Sequence, residues 1–166
     1  MPWAGMPAGV FNFEPMSRKG WDEYFMDIAM MVSARSTCPR RQVGAVLVRD
    51  REIKATGYNG APRGLPDCLE AGCIIEHGHC VRTVHAEQNV ILFSDRADRD
   101  GATLYVTDQP CFTCAKMIAN SGIARVVYFR PYPHGPVDTA QYLREAGIAV
   151  DVVVPSMLPP GTGQPT

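Results

Sequence analysis

Apolar positions change period several times along the chain, and each change marks an element. Trp21, Phe25, Ile28, Ala29 and Val32 recur at helical spacing, which predicts an amphipathic helix ending near Ser36, ahead of Pro39. Residues 43–48 and 52–58 then read as two strands joined by the polar turn Arg49-Asp50-Arg51, a hairpin. Residues 86–98 read as a helix and 103–107 as a strand. A second helix opens at Cys111 and runs through Met117 to Asn120, with Gly122 as its stop. Residues 124–129 are continuously apolar, as in a strand buried on both faces. Residues 137–146 predict a last helix, ended by Gly147, and residues 148–154 a last strand. This alternation predicts an α/β fold: a three-layer α-β-α sandwich around a mixed sheet of about five strands.

Three stretches lack such periodicity. Residues 1–17 read as a flexible arm, whose Trp3, Phe11 and Phe13 are available to dock on a partner subunit. Residues 155–166 are rich in Pro and Gly and read as a disordered tail, leaving 18–154 as the domain. Inside it, residues 61–82 form an excursion with little secondary structure expected, longer than the ~12–15 residues usual for a structureless loop.

Composition narrows the classes. A chain of 166 residues with 46% hydrophobic and 20% charged residues fits one globular domain. Its net charge of −1 leaves no broad basic surface for nucleic acid. No run approaches the ~18 apolar residues of a membrane span, and the N-terminal region lacks the layout of a secretory signal. Six cysteines in such a chain point to metal ligands or free thiols in a reducing, cytoplasmic setting.

The chemistry-bearing residues fall in two groups. His85-Ala86-Glu87 precedes the helix over 86–98, and Pro110-Cys111-Phe112-Thr113-Cys114 opens the next one. A helix of thirteen residues runs about 20 Å outward, and the strand after it runs a similar distance back, so Cys111 returns to the level of His85. One His and two Cys are the three protein ligands of a catalytic zinc that keeps its fourth position for water. Residues two apart lie on different sides of a regular helix, so His85 is expected at the helix entrance, before the repeat sets its direction. A structural zinc knuckle, or reduced core cysteines beside a satisfied histidine, is the bland alternative. H-x-E followed by P-C-x-x-C is the signature of zinc nucleobase deaminases, and the mechanism is carried over from that class. Zinc-bound water, with its pKa lowered to about 7, supplies hydroxide for attack on the amine-bearing carbon. Glu87 shuttles the proton.

The second group is Cys38, Cys68, Cys73 and Cys80, with His77 and His79 nearby. Such density suits a closed, structural zinc clip that replaces a missing loop core, with His79 as the alternative ligand. Some of these thiols could equally be small buried apolar groups. Asn59, within Gly57-Tyr58-Asn59-Gly60, reads either as a turn residue or as a hydrogen-bonding contact to a sugar or base.

Taken together, Arg35-Ser36, Val43-Gly44-Ala45, Gly57-Tyr58-Asn59-Gly60, His85-Ala86-Glu87-Gln88-Asn89, Tyr105-Val106-Thr107 and the Pro110–Lys116 segment resemble the deoxycytidylate deaminase family. The resemblance runs from about Trp21 to Val153. It implies a cytidine-deaminase-like fold, hydrolysis of dCMP to dUMP and ammonia, and a homo-oligomer, often a hexamer. It also implies activation by dCTP and inhibition by dTTP. The Cys-rich insert is similar to the branch that carries an extra zinc. Position by position, His85, Cys111 and Cys114 match the zinc ligands and Glu87 the proton shuttle. Asn59 matches a substrate contact, and Arg35 and Tyr132 fall where phosphate contacts are expected.

Two rivals stand beside this reading. One is a zinc deaminase acting on a free nucleoside, a tRNA adenosine, or a pterin- or riboflavin-type base. The other is a non-catalytic, zinc-stabilised nucleotide sensor, which would have no need of Glu87.

Overall fold

The structure is a computed structural model in which residues 17–132 and 135–157 are described. The hairpin foreseen from alternation forms the outer half of the sheet. Strands β1 (Gly44–Arg49) and β2 (Glu52–Tyr58) pair antiparallel across Asp50 and Arg51. Their φ values of 54° and 65° match a two-residue type I′ turn. On its other edge β1 pairs antiparallel with β5 (Thr103–Asp108), and β5 continues in parallel to β6 (Arg125–Arg130) and β7 (Ala149–Val152). The order is β2-β1-β5-β6-β7, the expected mixed sheet of five strands. The parallel pairs require crossovers, which α5 (Phe112–Ser121) and α6 (Thr139–Glu145) supply.

The period of two within the strands builds the layers. Val46, Val48, Tyr105 and Val127 face one side, where α1 (Trp21–Ser33) buries Phe25, Met26 and Ala29. Ala45, Leu47, Leu104, Val106 and Val126 face the other, covered by α3 (Ala86–Leu92), α5 and α6 through Val90, Ile118 and Leu143. At Gly57 a Cβ would overlap the Ala86 carbonyl, so α3 rests directly on the β2 backbone. The three-layer expectation holds.

Several boundaries differ from the sequence reading. The helix expected over 86–98 stops at Leu92 and resumes as a single turn, α4 (Arg96–Arg99). The Ser94 hydroxyl donates to the Val90 carbonyl and the Arg99 guanidinium to that of Ile91, taking the acceptors a continuing helix would use. The first helix ends at Ser33, whose hydroxyl donates to the Met30 carbonyl, rather than near Ser36. The insert over 61–82 has more order than expected. It holds α2 (Cys68–Ala71), capped by Asp67, and a hairpin of β3 (Ile75–Glu76) and β4 (His79–Cys80).

The tail boundary also moves. Asp27, on α1, accepts from the Ser156 and Met157 backbone N–H groups, the Ser156 hydroxyl and the Lys19 ammonium, so order extends past 154 to Met157. The rest of the tail lies outside the described residues, as does the arm apart from Ser17. Among the described residues, no helix is long and apolar enough to cross a membrane.

Candidate active site

His85 is the N-cap of α3, with φ −70° and ψ 155°. Its side chain is therefore not set by the helical repeat, which allows it and Glu87 to serve one site. The Gln88 side chain accepts from the His85 backbone N–H at 2.9 Å, half of a capping box that fixes this entrance. Cys111 is the N-cap of α5 and Cys114 lies in its first turn, so Pro110 stands one residue outside the helix rather than within it. Strands β2 and β5 are both antiparallel to β1 and so end at the same edge of the sheet, where α3 and α5 begin, and the ligand atoms of His85, Cys111 and Cys114 converge within 4.8 Å of one another.

The spacing fits a tetrahedral metal. Zn–S bonds of ~2.3 Å and Zn–N bonds of ~2.0–2.1 Å require S···N edges of about 3.5 Å and S···S edges of about 3.8 Å. His85 Nδ1 lies 3.5 Å from the Cys111 Sγ and 3.4 Å from the Cys114 Sγ. The Cys111 thiol is pushed down to about 4, first by the hydrogen bond with Cys114 and also by His85, against burial. Cys114 is raised, by Cys111 and then by burial, and His85 is raised chiefly by Cys111.

Glu87 is 4% exposed, and burial pushes its carboxyl up to about 7 while His85 pulls the other way. It opens into a cavity of ≈ 730 Å³ that also contains His85, Cys111, Asn59 and Tyr132. A buried carboxyl raised in this way is placed to exchange a proton with a group in the cavity.

The second group also converges. The sulfurs of Cys38, Cys68, Cys73 and Cys80 lie within 4.8 Å of one another, with Cys68 and Cys80 3.6 Å apart, close to a tetrahedral S···S edge. Burial, then the neighbouring thiols, push Cys68 up to about 12. His79 is drawn elsewhere: its Nδ1 meets the Tyr132 hydroxyl at 3.1 Å.

The remaining expected residues divide. Asn59 lines the cavity, but its amide is braced on the backbone, accepting from Val43 N–H and donating to Arg41 C=O, each at 2.8 Å. No turn forms here: Asn59 braces the backbone beside the cavity, and Gly60 bridges Val84. Tyr132 lines the cavity too. Arg35 is exposed after α1 and does not line it. The cavity instead holds Arg40 and Arg41, which sequence reasoning passed over, along with Asp108 and Gln109. Arg41 lies 4.3 Å from the Tyr132 ring centroid and is paired with Asp108. The doubled Arg in Cys38-Pro39-Arg40-Arg41 was the available signal.

Comparison with known proteins matches this geometry. The family model described as "Cytidine and deoxycytidylate deaminase zinc-binding region" matches residues 19–130. A deoxycytidylate deaminase of Mycobacterium phage D29 is 50% identical over 125 residues, covering 68% of this chain and 97% of that protein. ComE operon protein 2 of Bacillus subtilis (strain 168) is 41% identical over 140 residues, covering 83% and 74%. Among solved structures, the dCMP deaminase of cyanophage S-TIM5 in complex with dCMP and dUMP superposes with a TM-score of 0.68 at 34% identity. That match covers 79% of this chain and 95% of the phage protein.

Proposed function

The chain belongs to the cytidine and deoxycytidylate deaminase zinc-binding family of hydrolases, and from that premise we propose that it converts dCMP and water to dUMP and ammonia. The observation that carries the proposal is the buried Glu87 carboxyl, set in one cavity with His85 and Cys111, on which Cys114 also converges. His85, Cys111 and Cys114 would hold a zinc ion, which would supply Lewis-acid activation of the attacking water.

Glu87 takes a proton from the attacking water as its oxygen bonds the amine-bearing ring carbon. It returns that proton to the ring nitrogen, then takes the remaining proton of the added hydroxyl and passes it to the amine, which leaves as ammonia as the carbon–nitrogen bond breaks and the carbonyl forms. Burial raises the Glu87 carboxyl above the ordinary range, which suits it to taking a proton from the attacking water. In this reading Asn59 and Tyr132 contact the nucleotide, and Arg40 and Arg41 face its phosphate in place of Arg35.

Cys38, Cys68, Cys73 and Cys80 form a closed set and hold a second, structural zinc, with no need of His79. The catalytic unit is the domain expected from 18 to 154, with its Cys-rich insert and with Ser156 and Met157 bonded to Asp27 at its end. Six free cysteines suit a reducing cytoplasm. The family resemblance extends the proposal to a homo-oligomer, a hexamer by preference, activated by dCTP and inhibited by dTTP. Light scattering and rate measurements with each nucleotide test those additions.

The central test is ammonia release from dCMP, deoxycytidine, CMP and a tRNA anticodon stem. Turnover of dCMP well above the others is expected, and its absence would refute the proposal.

A further inference from the structure

One wall of the cavity does not belong to the central sheet. His77, Gly78, His79 and Cys80, from the β3–β4 hairpin, line it together with Cys38. The hairpin has two residues in each strand, and a lone hairpin is marginal in water. Apolar packing does not secure it: Leu65, Leu69, Ile74, Ile75 and Val81 are all exposed.

Polar links hold the wall in place. Cys80 belongs to the four-sulfur group, whose Cys38 is anchored in the body of the domain just after α1. Arg40 donates to the Gly78 carbonyl at 2.9 Å. His79 Nδ1 meets the Tyr132 hydroxyl, the Tyr132 ring stacks on the Arg41 guanidinium, and Arg41 bonds Asp108. A continuous set of contacts thus runs from the sulfur group to cationic side chains inside the cavity.

We infer that the Cys38, Cys68, Cys73 and Cys80 group sets the cavity's affinity for its nucleotide, with His79 as the positioning residue that transmits the constraint. A metal closing the group fixes β4, and β4 fixes the ring against which Tyr132 and Arg41 are ordered. Without it, four thiols have no reason to converge and the wall loosens. The reacting end is independent of the hairpin, since His85 and Glu87 ride on α3 and Cys111 and Cys114 on α5, both packed on the sheet. Binding should therefore depend on the insert, and chemistry should not. The inference rests on the reading that the cavity takes dCMP.

The test uses the full chain with Cys73→Ser, the change at a partly exposed cysteine that disturbs packing least. Metal analysis should lose one equivalent per chain, and hydrogen exchange should accelerate over residues 75–80. KM for dCMP should rise about tenfold or more, equivalent to at least ~1.4 kcal/mol, with kcat within about twofold. His79→Ala should raise KM likewise while keeping both metals and the melting temperature, and His79→Gln, which still offers the Tyr132 hydroxyl a partner, should restore part of the affinity. Should Cys73→Ser fail to fold, the His79 pair decides.

Metal lost with KM and exchange unchanged overturns the inference, as does a fall confined to kcat. If the wild type releases no ammonia from dCMP, the proposed function fails instead. Exchange then decides alone, and unaltered protection over residues 75–80 and at Tyr132 in Cys73→Ser overturns the inference.

Discussion

Arg41 donates two hydrogen bonds to a single oxygen of Asp108, from Nε at 3.0 Å and from a terminal nitrogen at 2.5 Å. The other carboxylate oxygen accepts from Arg130 at 2.7 Å and from the Thr107 hydroxyl at 2.9 Å. Asp108 is 3% exposed, while the Arg41 and Arg130 side chains are 38% and 40% exposed. One buried acid thus anchors two half-exposed cations beside the cavity. Asp108→Ala should destabilise the fold by about 1–3 kcal/mol, near the lower figure because both guanidinium groups can rehydrate. Urea unfolding measures this, and an unchanged midpoint would show that the carboxylate is not an anchor.

This pair shows where sequence reasoning ends. His85, Cys111 and Cys114 were legible because the ligand types are rare and each motif is local, even though the helix assumed between them is broken into α3 and α4. The layers were legible because burial follows the period of two. Arg41 and Asp108 are 67 positions apart and meet only because β1 runs antiparallel to β5, a partner choice that local pattern does not encode. Arg35 does not line the cavity: it is exposed in the turn after α1, and Arg40 and Arg41 lie there instead. The break after Leu92 falls where residues 94–100 offer only Ala97 as an apolar position, and the side-chain bonds of Ser94 and Arg99 that interrupt the helix leave no mark in the local pattern.

Glu87→Gln retains the shape of the site and removes the proton carrier. We expect the variant to keep its zinc and its affinity for dCMP, with kcat reduced by about 10²–10⁴ or more. Near-normal turnover in the metal-loaded variant would assign the proton transfer to another group.

Stability should fall in acid through Asp22. Hydrogen bonds from Arg125 hold its carboxyl below the ordinary range, aided by the Tyr105 hydroxyl and opposed by burial. A folded-state pKa below the unfolded one favours the ionised, folded form. The contribution is therefore full above the unfolded value, near ~3.9, and is lost as pH falls through the depressed folded value. Asp22→Asn should lower stability at neutral pH, and the gap from wild type should close as the pH drops below about 4. A gap that stays constant across chemical-denaturation curves from neutral to acid pH would remove Asp22 from the acid response.

The approach of α3 to β2 offers a sharper test of how the fold places the chemistry. A Cβ on Gly57 would overlap the Ala86 carbonyl and come within 3.0 Å of the Val90 backbone nitrogen. These are backbone atoms, so no rotamer change can relieve the crowding, and the N-terminal turn of α3 must move away from the sheet. His85 and Glu87 flank Ala86 and would move with it, while Cys111 and Cys114 stay on α5. Gly57→Ala should therefore cost about 1–3 kcal/mol of stability, as overpacking does. It should also cost about 10²-fold in kcat, the penalty of misplacing a reacting group by roughly 1 Å. Gly20→Ala is the control, since a Cβ there meets nothing within 4 Å. If Gly57→Ala loses stability but keeps wild-type kcat, the seat of α3 on β2 is a packing device only, and His85 and Glu87 are held by other contacts.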